Sequence, residues 1–265
     1  MQHPLFRPSR LVSSFALFAM FSAFSPASMA LQPLITDDTG TQGSGGHQLE
    51  FSYSHDRTRS DGAVERADFV PATYTYGLAE TLDIYGGVAY GRIRASGESA
   101  SGFSNAVFGL KWRFFDSGDS GTSLALKPEV VLPVSQQREE EGFGVGKTSG
   151  ALTIILSQDV SFGSVHFNAG MGRDRCRHPE NDSTNRHFSV APIWDISERW
   201  KLALDVGFDQ YRSNGETSRA KYGEIGVIFA PAENLELAAG FIRTLGSGNP
   251  KPTTSSVVAG VTWRF

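Results

Sequence analysis

The chain has 265 residues, with 24 Lys and Arg against 28 Asp and Glu, 40% apolar residues and one cysteine. A mildly acidic balance with no basic stripe excludes a nucleic-acid binder. The lone Cys176 cannot close an intrachain disulfide, so an exported chain of this kind needs another source of stability.

Residues 1–30 read as a secretory signal. Arg7 and Arg10 precede an apolar run from Leu11 to Phe24, and Ala27-Ser28-Met29-Ala30 supplies the small-residue exit. The run is too short and too serine-interrupted for the roughly 20 apolar residues a spanning helix needs. Processing after Ala30 removes two arginines and no acid, so the processed chain carries a charge of −6. The expected organisation is a signal at 1–30, an N-terminal segment at 31–45 inside the barrel or at its periplasmic mouth, and a β-barrel from 46 to 265.

From residue 46 onward apolar and polar residues alternate, segment after segment. Leu49, Phe51 and Tyr53 enclose Glu50 and Ser52, and Leu82, Ile84, Val88 and Tyr90 enclose Asp83 and Tyr85. Phe108, Leu110, Trp112 and Phe114 enclose Lys111 and Arg113, and Leu124, Leu126, Pro128 and Val130 enclose Lys127 and Glu129. The second half continues with Phe167 beside His166, then Leu202, Leu204 and Val206 around Lys201 and Asp205. Ile225 follows beside Glu224, and Val261, Trp263 and Phe265 alternate with Arg264. Period-two alternation places one set on each face of a strand. Twelve such segments predict an all-β, transmembrane, antiparallel up-and-down barrel of about 12 strands.

The connections alternate short and long. Short ones fall near Gly77–Thr81, Asp116–Gly121, Gln158–Ser161, Ser197–Arg199 and Ala230–Asn234. Long polar ones fall near Asp56–Glu65, Ile93–Ser101, Val134–Lys147, Arg173–Arg186, Tyr211–Arg219 and Leu245–Thr253. Short periplasmic turns and long outer loops are the rule for an outer-membrane barrel, whereas a Greek-key sandwich has no reason to obey it. Tyr74, Trp112, Trp200 and Trp263 beside the short turns fit an interfacial aromatic girdle. Pro71, Pro128 and Pro192 fall inside predicted strands, where a missing N–H points to bulges.

The terminal Phe265, alternating with Trp263 and Val261, resembles the C-terminal signature read by the barrel-assembly machinery of outer membranes. Further segments carry a family resemblance. They are the run from Pro33 to Gly43 (PLITDDTGTQG), Tyr76-Gly77-Leu78 before Leu82-Asp83, and the run from Gly109 to Phe115 (GLKWRFF). Pro128-Glu129 with Leu132-Pro133, and Gly146-Lys147-Thr148-Ser149, complete the set. Together they resemble the outer-membrane, transporter-like family assigned to the MetA pathway of phenol degradation. The resemblance implies a barrel that passes small solutes, possessing no established catalytic residues to carry over.

Three constellations invite chemistry. The stretch from Glu141 to Thr148 looks like a phosphate-cradling loop, but the motif's first glycine is Glu141 and no strand-to-helix context is predicted. Asp174, Cys176, His178, Glu180, Asp182 and His187 gather in one outer loop without a recognised ligand spacing, so a solvated loop outweighs a metal site. His187-x-Ser189 resembles the pair used by outer-membrane phospholipase A, yet here the alternation turns both residues inward. No catalytic, cofactor or metal residues are therefore assigned.

The inward charges form the candidate functional set: Asp83, Lys111, Arg113, Lys127, Glu129, His166, Lys201, Asp205, Glu224 and Arg264. They can shape a solute path or pair into a closed interior. Twelve strands sit between filled eight-stranded barrels and open porins, so the expectation is a narrow, partly filled passage. The partners implied are outer-membrane lipid, the assembly machinery at Phe265 and a small solute, aromatic or weakly polar. The rival readings are a non-transporting structural barrel and an outer-membrane lipid hydrolase.

Overall fold

A computed structural model describes residues 33–248 and 250–265, so the signal reading of residues 1–30 lies outside the described residues. The strands are β1 (His47–Ser60), β2 (Ala63–Ala79), β3 (Leu82–Ala95), β4 (Glu98–Phe103), β5 (Val107–Asp116), β6 (Thr122–Val131) and β7 (Lys147–Val160). They continue with β8 (Gly163–Arg175), β9 (Ser183–Asp195), β10 (Trp200–Ser213), β11 (Glu216–Ala232), β12 (Leu235–Gly246) and β13 (Thr253–Arg264). Both β4 and β5 pair with β3, one above the other, and so occupy a single stave of the wall. The closed antiparallel barrel therefore has 12 staves, as the alternation predicts.

Closure runs through β1, which pairs with β13 on one side and β2 on the other. At the seam the His47 N–H donates to the Phe265 carbonyl and the Phe265 N–H returns to the His47 carbonyl, each at 3.0 Å. Among the described residues every strand but β4 is paired on both sides, and β4 pairs with β3 alone at the long-loop end; pairing on both sides is what permits extended backbone to sit in hydrocarbon. The outward face is apolar, with Phe108, Trp112, Ile154, Val206 and Ile225 all about half exposed. The inward face is polar, with Glu50, Asp83, Lys127, Asp205 and Glu224 all buried.

Two sequence expectations are corrected. Three of the six connections expected to be long are two-residue turns, because the strands run on past the membrane-crossing length. Asp61-Gly62, Ser96-Gly97 and Asn214-Gly215 each hold both central residues at positive φ, from 48° to 87°. That is the tight hairpin geometry which Asp-Gly and Asn-Gly sequences favour, because its twist matches the strands. The strands β1, β2 and β11 reach 14 to 17 residues, where crossing a bilayer takes roughly 9–11.

The three prolines are not bulges. Pro71 pairs with Ala89, Pro128 with Leu152 and Pro192 with Val165, each in register. On the opposite side the ladder lapses for two residue pairs and resumes in the same register. A missing N–H costs a proline its bond on one side only, so the wall tolerates a gap without an inserted residue.

Candidate functional site: the occupied lumen

Residues 33–46 run through the barrel interior and set the geometry of the lumen. Their anchor is Asp37, 1% exposed, which accepts from Lys111 Nζ and Lys127 Nζ, both at 2.8 Å. With its amide oriented to match its neighbours' donors and acceptors, Asn168 brackets the same residue, accepting the Asp37 N–H at 2.7 Å and donating to its carbonyl at 2.9 Å. On the far wall Asp205 accepts from the Ile35 N–H (3.0 Å), the Thr36 N–H (2.7 Å), Thr36 Oγ1 (2.8 Å) and Tyr222 OH (2.9 Å). Thr39 donates its N–H to Ser157 Oγ at 3.0 Å, and its hydroxyl meets Ser123 Oγ at 2.6 Å. Asp83 then receives the Gln42 N–H, at 3.0 Å to one oxygen and 3.1 Å to the other.

The physical reason for this wiring is that a non-strand segment cannot satisfy its own backbone. Inside a barrel its N–H groups must find side-chain acceptors or remain unpaired at a cost. Asp205, Asp83 and Ser157 are those acceptors, and Leu34 adds apolar packing against Ala191, Ile193 and Ala203. The segment leaves the interior beside Gly77, whose N–H donates to the Gly46 carbonyl at 2.9 Å. A Cβ at Gly77 would sit 1.7 Å from the Gly43 carbonyl oxygen, so only glycine fits that crossing.

The ten inward charges divide into groups. Lys111, Lys127, Asp83 and Asp205 hold the interior segment directly, and His166 reaches it through Ser157, whose Oγ lies 2.8 Å from His166 Nδ1. Glu129 accepts from Tyr85 OH at 2.8 Å, and Glu224 is buried beside the Ile35 backbone. Arg113, Lys201 and Arg264 lie toward the short-turn rim. There they face Asp116 at 3.6 Å, Asp195 at 3.6 Å and Glu236 at 3.0 Å. Sequence reasoning did not single out Glu50, which obeys the same alternation and is 2% exposed. It also did not give Thr36 and Asp37 a role, since an irregular segment carries no periodicity to read.

A cavity of about 20 Å³ remains beside the segment, lined by Gln42, Glu50, Asp83, Tyr85, Lys111 and Lys127 among others. That is room for about one water. At the long-loop end the connection from β6 to β7, with its short helix α1 (Gln136–Glu140), folds inward. Phe143 is 3% exposed and packs on Ala67 and Ile93 of the inner wall. The glycine-rich stretch resembling a phosphate loop is therefore a packed cap.

His187 and Ser189 face the lumen. His187 Nδ1 lies 2.8 Å from Asp209 Oδ1 and Nε2 lies 3.0 Å from Ser189 Oγ, the arrangement of a nucleophile, base and orienting acid. Thr36 Oγ1 caps the serine at 2.7 Å, and the neighbouring donors, the Thr36 N–H and Tyr222 OH, are engaged by Asp205. Neither of those two donors is free for a developing oxyanion. In the outer loop, Cys176 donates to the Asn181 carbonyl, and burial pushes its thiol up to about 12. Among the described residues no group of three His, Cys, Asp or Glu is arranged to hold a metal.

The fold is that of outer-membrane β-barrels. Over 86% of this chain and 98% of the other, it superposes on the COG4313 outer membrane channel from Pseudomonas putida F1, with a TM-score of 0.68 at 13% identity. The NanC porin matches with a TM-score of 0.52 at 8% identity, over 80% of this chain and 98% of the porin. The translocator domain of the autotransporter NalP from Neisseria meningitidis matches with a TM-score of 0.54 at 12% identity, over 97% of this chain and all of that domain. No family model matches the sequence, and no curated protein matches it.

Proposed function

We propose that the protein is an outer-membrane channel for small solutes whose passage is occupied at rest by residues 33–46. The observation that carries this reading is that the interior is polar and filled by a segment held there by non-covalent contacts, chiefly to side chains of the wall. The Asp37 contacts to Lys111 and Lys127 and the Thr36 contacts to Asp205 are non-covalent, so the segment is displaceable. A solved channel with the same barrel supports the reading by analogy of fold. On this reading export uses the signal at 1–30, processing leaves the 31–45 segment ahead of the 46–265 barrel, with residues from 33 onward forming the plug, and Phe265 presents the chain to the assembly machinery. Asp83, Lys111, Lys127, Glu129, His166, Asp205 and Glu224 line the path, with Arg113, Lys201 and Arg264 at its mouth. The solutes are aromatic or weakly polar, in keeping with the MetA-pathway resemblance.

Planar-bilayer conductance and liposome swelling test the proposal. The intact protein is expected to conduct weakly, and Asp37→Asn, which releases both lysines, is expected to raise conductance several-fold. A barrel that stays closed to every small solute, in the variant as in the wild type, is structural and the proposal is wrong. The Asp209–His187–Ser189 geometry favours one second reading, a lipid hydrolase. Unchanged lipid turnover in Ser189→Ala removes it.

A further inference from the structure

The outer rim of the barrel segregates charge by face. On β3 the outward residues change from Val88 and Tyr90 to Arg92 and Arg94, and on β1 from Phe51 and Tyr53 to Arg57 and Arg59. On β12 Phe241 gives way to Arg243. Of the acids at the same end, Asp56 on β1 and Glu65 on β2 occupy the alternate, inward positions of their strands, and Asp68 on β2 faces outward. A chain that is acidic in total therefore presents a basic collar immediately above its apolar belt.

The collar's centre is one row of the sheet. Arg57 is paired directly opposite Arg66, and Arg66 directly opposite Arg94. Through Ser255 the row reaches Arg243, because Arg57 pairs with Ser255 on β13 and Arg243 pairs with the same serine from β12. Like charges directly opposite on adjacent strands repel. The one outward acid facing this group is Asp68, which already receives Arg94, His55 and Tyr53. The Nε atoms of Arg57 and Arg94 are buried without a hydrogen-bond partner. Four guanidinium groups in a row, two of them with an unfilled Nε donor, make a surface that anions would stabilise.

Arg57 and Arg94 lie four residues beyond the outward aromatics Tyr53 and Tyr90, and Arg243 lies two beyond Phe241. With a strand rise of about 3.3 Å per residue and a tilt near 40°, that is roughly 5–10 Å above the apolar belt, the depth of lipid headgroups. Arginine forks fit phosphate bidentately. We infer that the Arg243–Arg57–Arg66–Arg94 row is a binding site for the phosphorylated glycolipid of the outer leaflet, its sugar phosphates bridging arginines that would otherwise repel. This rests on the outer-membrane placement of the barrel and does not depend on whether the lumen conducts.

The test is native mass spectrometry of the full barrel in neutral detergent micelles titrated with bis-phosphorylated lipid A. The wild type is expected to retain at least one lipid A, in a manner weakened by salt. The triple substitution Arg57→Gln, Arg66→Gln and Arg94→Gln is expected to weaken binding at least tenfold, and Arg66→Gln alone at least threefold. Heat-modifiable migration verifies that each variant is folded, and the single variant covers the case in which the triple fails to fold. Equal retention by wild type and Arg66→Gln, or equal retention of phosphorylated and dephosphorylated lipid, overturns the inference. Displacement by low-millimolar inorganic phosphate also overturns it, by reducing the site to a general anion site. Insertion of the wild type into phosphatidylcholine liposomes separates the two claims. Failure there sinks the membrane reading, whereas insertion without lipid A discrimination sinks the glycolipid site alone.

Discussion

At the scale of single residues, Asp37 decides most. Lys127 is 3% exposed at its side chain and Asp37 1%, so each is buried and dependent on the other. Removing one partner of such a pair leaves an uncompensated buried charge, at a cost on the order of 3–5 kcal/mol. Asp37→Asn should therefore lower the temperature of heat modification while raising conductance. Lys127→Met, which removes a buried cation and leaves Asp37 its Lys111 partner, should be milder on both counts. Gly77→Ala should displace the interior segment outright, because the added carbon would overlap the Gly43 carbonyl. Limited proteolysis would show it as new cleavage ahead of His47 in an otherwise intact barrel. Asp37 itself was visible in the sequence only as one letter of a family-like stretch. Its role comes from two lysines 74 and 90 positions away, and no local pattern encodes that meeting.

At the scale of elements, the strands show how far alternation carries. The inward register of Asp83, Lys111, Lys127, Asp205 and Glu224 follows from period two, since a one-residue slip would expose all of them to hydrocarbon. The hairpin tips were expected as long loops, although Asp-Gly, Ser-Gly and Asn-Gly fit a turn with both central φ values positive. They are hidden by composition alone, since polar strand ends resemble loops once the outward face meets water. Gly215 sits at φ 79°, so Gly215→Val forces a β-branched side chain into the left-handed region, at about 1–2 kcal/mol. The expected outcome is protease sensitivity confined to the β10–β11 tip, with heat modification of the barrel unchanged.

At the scale of the whole molecule, the barrel is an inside-out protein with a belt of bare apolar side chains and a polar, filled centre. Leu110, 42% exposed on the belt, and Ser123, whose hydroxyl meets Thr39 inside, test that directly. In reconstituted protein, Leu110→Cys should react with a bilayer-confined maleimide and Ser123→Cys should not. Native Cys176 gives little background, because burial holds its thiol near 12 and so protonated at neutral pH. Equal labelling at both positions would contradict the membrane belt. The arginine collar belongs to this scale too, since its row runs across strands distant in sequence and only closure brings Arg243 level with Arg57.

The sequence by itself determined the strand count, the face each residue presents and the side of the barrel that carries the short turns. These follow from local periodicity and turn chemistry, which act over a few residues. The tertiary structure alone decided which inward charges meet, that an irregular stretch fills the passage, and that arginines from four staves align. Those outcomes depend on closure of the ring, which converts separations of tens to hundreds of residues into contacts of about 3 Å.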